Sequence, residues 1–205
     1  MRFALILPLA FALSAAAPAP RPLILAFGDS LTAGYGLDPG LGFAPQLQAT
    51  LRRQGLAATV ADGGVTGDTS TAARARLGWT LDGLPRKPDL VIVELGANDM
   101  LRGLDPALTK ANLEAILAEF DRRHIKVLLS GMRAAPNLDP DYAKRFEAIY
   151  PALAARHRVA FDRFFLAPIA GQRGYFQADG MHPTFAGVKR IVLRLAAPVR
   201  AALAL

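Results

Sequence analysis

Five short apolar runs recur along this chain: Leu23–Phe27, Ala58–Ala61, Leu90–Leu95, Lys126–Ser130 and Val159–Asp162. Most are continuous rather than alternating, which is how strands covered on both faces read. Amphipathic stretches separate them. Phe43–Arg53 follows Gly42, Leu108–Arg123 carries Leu113, Ile116, Leu117 and Phe120 on one face, and Tyr142–Arg156 carries Phe146, Ile149, Tyr150 and Leu153. A last helix is expected from an N-cap at Thr184 toward Pro198. This βα alternation predicts an α/β chain: a three-layer α/β/α domain around a five-stranded parallel sheet, with right-handed crossovers and the flavodoxin-like order 2-1-3-4-5. A length of 205 residues, 52% of them hydrophobic, suits one such domain over residues 18–205 better than two.

The first stretch stands apart. "MRFALILPLAFALSAAAPAP" has one positive residue, Arg2, then an apolar run from Phe3 to Leu13, then the small residues Ala15-Ala16-Ala17. That is the layout of a secretory signal peptide, residues 1–17, so export to the periplasm or the exterior is expected. As a membrane anchor the run is short against about 20 residues, and Pro8 interrupts it. With no cysteine, disulfides, thiolate metal sites and lipidation at a cysteine are excluded.

The formal charge of +7 raises the question of nucleic acid. The basic residues are scattered, with pairs such as Arg52-Arg53 and Arg122-Arg123 but no long run, and no nucleic-acid motif accompanies them. A solvated basic surface is the expectation, with at most weak, salt-sensitive attraction to anionic lipid headgroups. No nucleic-acid partner is expected.

In open parallel sheets ligands bind beyond the carboxyl ends of the strands, where the strand order reverses. Past the first strand lies Gly28-Asp29-Ser30, past the second "DGGVTGDTS" with Gly63, Gly64 and Gly67, and past the third "LGANDMLRG" with Asn98 and Asp99. In a 2-1-3 order these loops are neighbours with Ser30 in the middle. Each has a plainer reading. Ser30 suits a simple N-cap, Gly67 a turn with positive φ, Asn98-Asp99 a helix cap. The segment "QADGMHPTFAG" shifts the balance. A serine hydroxyl needs a base with a pKa near the working pH, and histidine is the natural one. That histidine needs a partner at Nδ1, and Asp179 three residues before His182 supplies base and partner from one loop. The weakly patterned stretch Arg163–His182 is long enough to cross the top of the sheet. His124 and His157 sit at helix ends, where positive charge is favoured, and no two histidines have metal-ligand spacing, so no metal site is expected.

Four stretches in order resemble the conserved blocks of the SGNH, or GDSL, hydrolases: "FGDSLTAG", "GVTGDTS", "VELGANDMLRG" and "DGMHP". Together with "GMRAAPNLDPDYAKRFEAIYP" they are most similar to the exported bacterial arylesterase and multifunctional acyl-CoA thioesterase I/lysophospholipase L1 group. The blocks span the whole chain after residue 17. Asp62-Gly63-Gly64 departs from the asparagine and small residues usual there and leaves Gly67 untouched. The resemblance implies a serine esterase acting through an acyl-enzyme, with Ser30, His182 and Asp179 catalytic. The oxyanion would be held by the backbone N–H groups of Ser30 and Gly67 and the side chain of Asn98. It implies no cofactor. There is no G-x-S-x-G elbow.

The substrates implied are small-molecule aryl and short- to medium-chain acyl esters, with lysophospholipid or thioesters beyond them; a monomer is expected. Met100, Leu101, Leu104 and Met132 are candidates for the walls of an acyl groove, with core packing the alternative for each. Arg102 and Arg133 suit a phosphate headgroup less well than open solvent. Two rival functions are a carbohydrate O-acetyl esterase of the same superfamily and a non-catalytic phosphate- or nucleotide-binding module cradling an anion on Gly63, Gly64 and Gly67. The second lacks G-K-[ST] and G-x-G-x-x-G and leaves Asp179 and His182 without a role.

Overall fold

A computed structural model describes residues 21–204; the expected signal peptide, residues 1–17, lies outside them. The chain runs β1 (Leu23–Gly28), α1 (Ser30–Ala33), α2 (Phe43–Arg53), β2 (Thr59–Gly64), α3 (Ser70–Asp82), β3 (Leu90–Glu94), α4 (Ala97–Leu101), α5 (Pro106–Arg122), β4 (Lys126–Ser130), α6 (Pro140–Glu147), α7 (Ile149–His157), β5 (Ala160–Asp162), a 3-10 turn at Arg173–Tyr175, and α8 (Phe185–Ala204). The sheet has the order β2-β1-β3-β4-β5, every pair is parallel, and the expected fold class and strand order are observed.

The reversal of strand order after β2 sets the layers. With right-handed crossovers, a chain that steps one way from β1 to β2 and the other way afterwards must place its connecting helices on opposite faces. α2 and α8 accordingly pack together, while α3, α5 and α7 pack together. Between the layers every residue of β1 and β3 is buried, as the unbroken apolar runs require.

The strands end in register. Gly64 pairs with Gly28, Gly28 with Glu94, Glu94 with Ser130, and Ser130 with Asp162. This row crosses the whole sheet at its carboxyl edge, and the loops above it carry the candidate residues. At one end of the row Asp162 is clamped. Arg194 of α8 gives its Oδ1 a hydrogen bond at 2.5 Å and its Oδ2 one at 3.0 Å, and also reaches the Phe164 carbonyl at 2.9 Å.

Four elements differ from the sequence expectation. β2 runs on through Asp62, Gly63 and Gly64, where the sequence suggests a loop and where one rival function places Gly63 and Gly64 in an anion cradle. Their backbones are instead paired with β1. A Cβ on Gly64 would lie 2.3 Å from the Ala33 nitrogen, so glycine here admits the α1 backbone rather than a turn. The helix expected over Tyr142–Arg156 is two helices, broken at Ala148; Pro151 has no N–H to return to the Glu147 carbonyl. α8 passes through Pro198 and continues to Ala204, because burial of Leu195, Val199 and Ala202 offsets a cost of roughly 3 kcal/mol for an interior proline. Thr184 does cap it, accepting from the Gly187 N–H at 3.2 Å. α3 was not anticipated; Trp79, its largest apolar residue, is 81% exposed and blurs the stripe made by Ala73, Leu77 and Leu81.

Candidate active site

β1 ends on Gly28, and Asp29 caps the short helix that follows, its carboxylate accepting from the Leu31 N–H at 3.0 Å. Ser30 is therefore the first helical residue, at the carboxyl edge of the sheet between the β2 and β3 loops. Its side chain is buried except for a small opening.

His182 reaches it from the far end of the chain. The stretch from Arg163 to His182 crosses the sheet top as turns, then forms a small antiparallel bridge between Phe176 and Pro183. Within it the Gln177 N–H donates to the His182 carbonyl at 2.8 Å and the Thr184 N–H to the Tyr175 carbonyl at 2.8 Å. The Gln177 side-chain amide also donates to the Tyr35 carbonyl at 2.7 Å, tying this loop to the residues after α1. His182 Nε2 then lies 2.9 Å from Ser30 Oγ, and His182 Nδ1 lies 2.6 Å from Asp179 Oδ2. The other Asp179 oxygen accepts from the Met181 and His182 N–H groups at 2.9 and 3.0 Å. These bonds, the imidazole's first, hold the Asp179 carboxyl down at about 2. The Tyr35 ring packs on the imidazole, centroids 4.5 Å apart.

The expected oxyanion donors are Ser30 itself and residues of the two neighbouring loops. Gly67 has φ +84°, a conformation that glycine adopts without strain. The N–H groups of Ser30 and Gly67 make no hydrogen bond among the described residues. The Asn98 amide donates to Asp29 Oδ2 at 3.1 Å and to the Asp68 carbonyl at 3.0 Å. Asp99 beside it is structural. Fully buried, it accepts from the Ser70 N–H at 2.7 Å and the Thr109 hydroxyl at 3.1 Å, locking α4 to α3 and α5. Burial pushes the Asp29 carboxyl up to about 6, against the lowering effect of the Leu31 N–H and the Asn98 amide.

Beside Ser30 opens a hollow of about 390 Å³, lined by Asn98, Met100, Leu101, Met132, Phe164 and Leu166 among others. Three of the four expected wall residues are there. Leu104 is not; the chain turns away at Gly103 (φ +63°), and the Leu104 carbonyl instead accepts from the Tyr142 hydroxyl at 3.0 Å. A larger hollow of about 530 Å³ lies at the other end of the sheet among Pro22, Lys87, Lys126 and Arg200, away from Ser30.

Several site contacts were not read from the sequence. Arg102, for which the sequence suggests open solvent, donates to the Gly67 carbonyl at 2.9 Å. Arg133 lies on the rim of the apolar hollow, its guanidinium 5.7 Å from the centre of the Phe164 ring. Gln177 and Tyr35 belong to none of the four blocks, and Glu94, though inside the third, carries no role there by sequence; only their closeness in space to the site residues marks them.

A model of the GDSL-like Lipase/Acylhydrolase family matches residues 26–190. The chain is 39% identical to the Pseudomonas aeruginosa protein named "Esterase TesA" over 169 residues, 82% of this chain and 83% of that one. It is 37% identical to the Vibrio mimicus protein named "Arylesterase" over 177 residues, 86% of this chain and 87% of that one. Among solved structures it is similar to AlinE4, described as an SGNH-hydrolase family esterase, at 45% identity and a TM-score of 0.77, covering 91% of this chain and 98% of that one.

Proposed function

The chain belongs to the GDSL-like lipase/acylhydrolase family and is a serine esterase of it, and from this premise we propose that Ser30 attacks the carbonyl of aryl and short- to medium-chain acyl esters. The observation that supports this most is the unbroken chain of contacts from Asp179 through His182 to Ser30 at the mouth of an apolar hollow. Ser30 Oγ bonds to the carbonyl carbon as His182 Nε2 takes its proton. Asp179, on Nδ1, fixes the tautomer and stabilises the imidazolium.

The carbonyl oxygen becomes an oxyanion facing the N–H groups of Ser30 and Gly67. Asn98 joins them when its amide hydrogen shifts from the Asp68 carbonyl to the new charge. Collapse expels the alcohol or phenol, which takes the proton from His182. Water repeats the sequence on the acyl-enzyme and releases the acid. Nothing in this cycle requires a cofactor. The apolar walls around Met100, Met132 and Phe164 suit an acyl chain better than an acetyl group alone, which favours this reading over deacetylation of sugars. Residues 1–17 direct export in this reading, and the enzyme works outside the cytoplasm as a monomer.

Hydrolysis of p-nitrophenyl esters from acetate to long chains by the exported form and by Ser30→Ala is the test. Wild-type turnover with none above background in the variant is expected. A variant that keeps near wild-type turnover would remove Ser30 from the mechanism.

A further inference from the structure

Beneath the Ser30 turn two carboxyl groups are buried close together. Asp29 is 0% exposed and Glu94 1%. The register brings them together: Gly28 pairs with Glu94 at the ends of β1 and β3, and Asp29 follows Gly28. A Cβ on Gly28 would lie 2.1 Å from Thr32 Oγ1, so glycine there leaves room for Thr32 to donate to Glu94 Oε2 at 2.8 Å. Glu94 Oε1 is buried with no donor among the described residues, one register step from the equally buried Asp29.

Two neighbouring buried carboxylates are strongly disfavoured when both are ionised. One of the pair must hold a proton. Both Asp29 oxygens already accept, from the Leu31 N–H and the Asn98 amide. Glu94 has one neutral donor and one orphaned oxygen, so the proton belongs on Glu94.

We propose that Glu94 is a positioning residue of the esterase site, a neutral acid whose Oε1–H donates to the Asp29 carboxylate and so fixes the group that aims the Asn98 amide and holds the Ser30 turn. The inference rests on the roles given above to Ser30 and Asn98. It also explains how an acidic pair is tolerated under a site that must receive an oxyanion. With the proton shared, one negative charge lies below it; without the proton there would be two.

The surroundings offer no substitute for the proton. Thr32 on α1 and Ser130, across the register on β4, are neutral. Tyr150 of α7 donates to the Leu95 carbonyl at 3.0 Å, and burial pushes its phenol well up. Asp68 before α3 is paired with Arg76, and Asp99 on α4 is held by Ser70 and Thr109. His182 lies above Asp29 and is bonded to Ser30 and Asp179. Burial and the Asp29 charge push the Glu94 carboxyl well above its usual range.

The sequence has four glutamates, at 94, 114, 119 and 147. Selective ¹³C labelling of glutamate side-chain carboxyls therefore gives four resonances, and Glu94→Gln assigns one by its loss. The expected result is that this resonance stays in the protonated range through neutral pH while the others are ionised. In parallel, kcat and KM for a p-nitrophenyl ester are measured against pH for wild type, Glu94→Ala and Glu94→Gln. Alanine should lower kcat by about tenfold or more with KM moved by less than about threefold. Glutamine, which keeps a donor toward Asp29 and an acceptor toward Thr32, should restore kcat to within about threefold of wild type. It should also remove the alkaline loss of activity expected of wild type as the pair loses its proton.

A Glu94 carboxyl that titrates with the other three overturns the proposal, as does an equal kcat loss in both variants. Should Glu94→Ala fail to fold, the resonance and the glutamine profile decide alone. Retained activity in Ser30→Ala would sink the catalytic reading and leave the resonance result standing, so the two failures are distinguishable.

Discussion

His182 Nε2 lies 2.9 Å from Ser30 Oγ although 152 residues separate them in the chain. The His182 backbone is held by its own loop and the Gln177 amide ties that loop to Tyr35, so the imidazole is placed before any substrate arrives. Its other nitrogen depends on Asp179. Asparagine there would face Nδ1 with an amide and favour the wrong tautomer, so Asp179→Asn should lower kcat by about 10³–10⁴-fold. The Asp179 carboxyl is held at about 2 and stays ionised in mild acid, so its protonation cannot be what ends activity there. The same depressed value carries a stability consequence. The folded state takes up this proton less readily than the unfolded chain, so the contribution is present above the ordinary carboxylate range and lost as pH falls toward 2. Melting curves of wild type and Asp179→Asn should therefore differ more at pH 7 than at pH 3; a constant gap would contradict the assignment.

The Gly67 loop is held from one side by the Arg102 guanidinium on its carbonyl. This contact is exposed, so its worth in stability is small, but it bears on where the Gly67 N–H points. Arg102→Ala is expected to lower kcat roughly three- to tenfold with KM and thermal midpoint little changed. Asn98→Ala removes a donor outright and should cost about 2.7–4 kcal/mol of barrier, again in kcat. Steady-state kinetics on one ester rank the two variants; a loss confined to KM in either would place that residue on the ground-state substrate instead.

These contacts show what was legible in the sequence. Ser30, Gly67, Asn98, Asp179 and His182 stood out because each lies just past a strand or in a loop with its partner. The strands stood out because a buried parallel sheet writes itself as apolar runs; β4 is observed over the residues expected. Glu94 was hidden by the same rule, as one acidic residue closing an apolar run reads as the end of a strand. Arg102 was hidden because its partner is a backbone carbonyl 35 residues away, which no side-chain pattern records. The extension of β2 over Gly63-Gly64 was missed because a glycine pair signals a turn unless the helix passing over it is known.

Asp162 offers a prediction about the scaffold. Its side chain is 5% exposed, it accepts from the Ser130 hydroxyl at 2.5 Å, and Arg194 binds both its oxygens. Removing the cation strands a buried carboxylate and frees the loop that leads to His182. With Arg194 itself partly exposed, Arg194→Leu should cost roughly 2–4 kcal/mol. Chemical denaturation reads this as a lower midpoint at unchanged slope; a cost near zero would mean that water reaches Asp162.

Met132 offers a prediction about acyl chain length. It is 4% exposed and faces the hollow beside Ser30 with Met100, whose sulfur accepts from the Ala135 N–H at 3.1 Å and pins the next turn of the loop. The wall therefore has little freedom to retreat. Tryptophan at 132 is larger and cannot be absorbed by a close-packed neighbourhood, so it must intrude into the hollow. Short esters, whose acyl group ends near the serine, should be hydrolysed by Met132→Trp within about threefold of wild type, while medium-chain esters should lose tenfold or more, since each lost methylene contact is worth about 0.8 kcal/mol. The readout is kcat/KM across p-nitrophenyl acetate, butyrate, hexanoate and octanoate. An unchanged profile would show that the acyl chain lies elsewhere and that the hollow takes the leaving group.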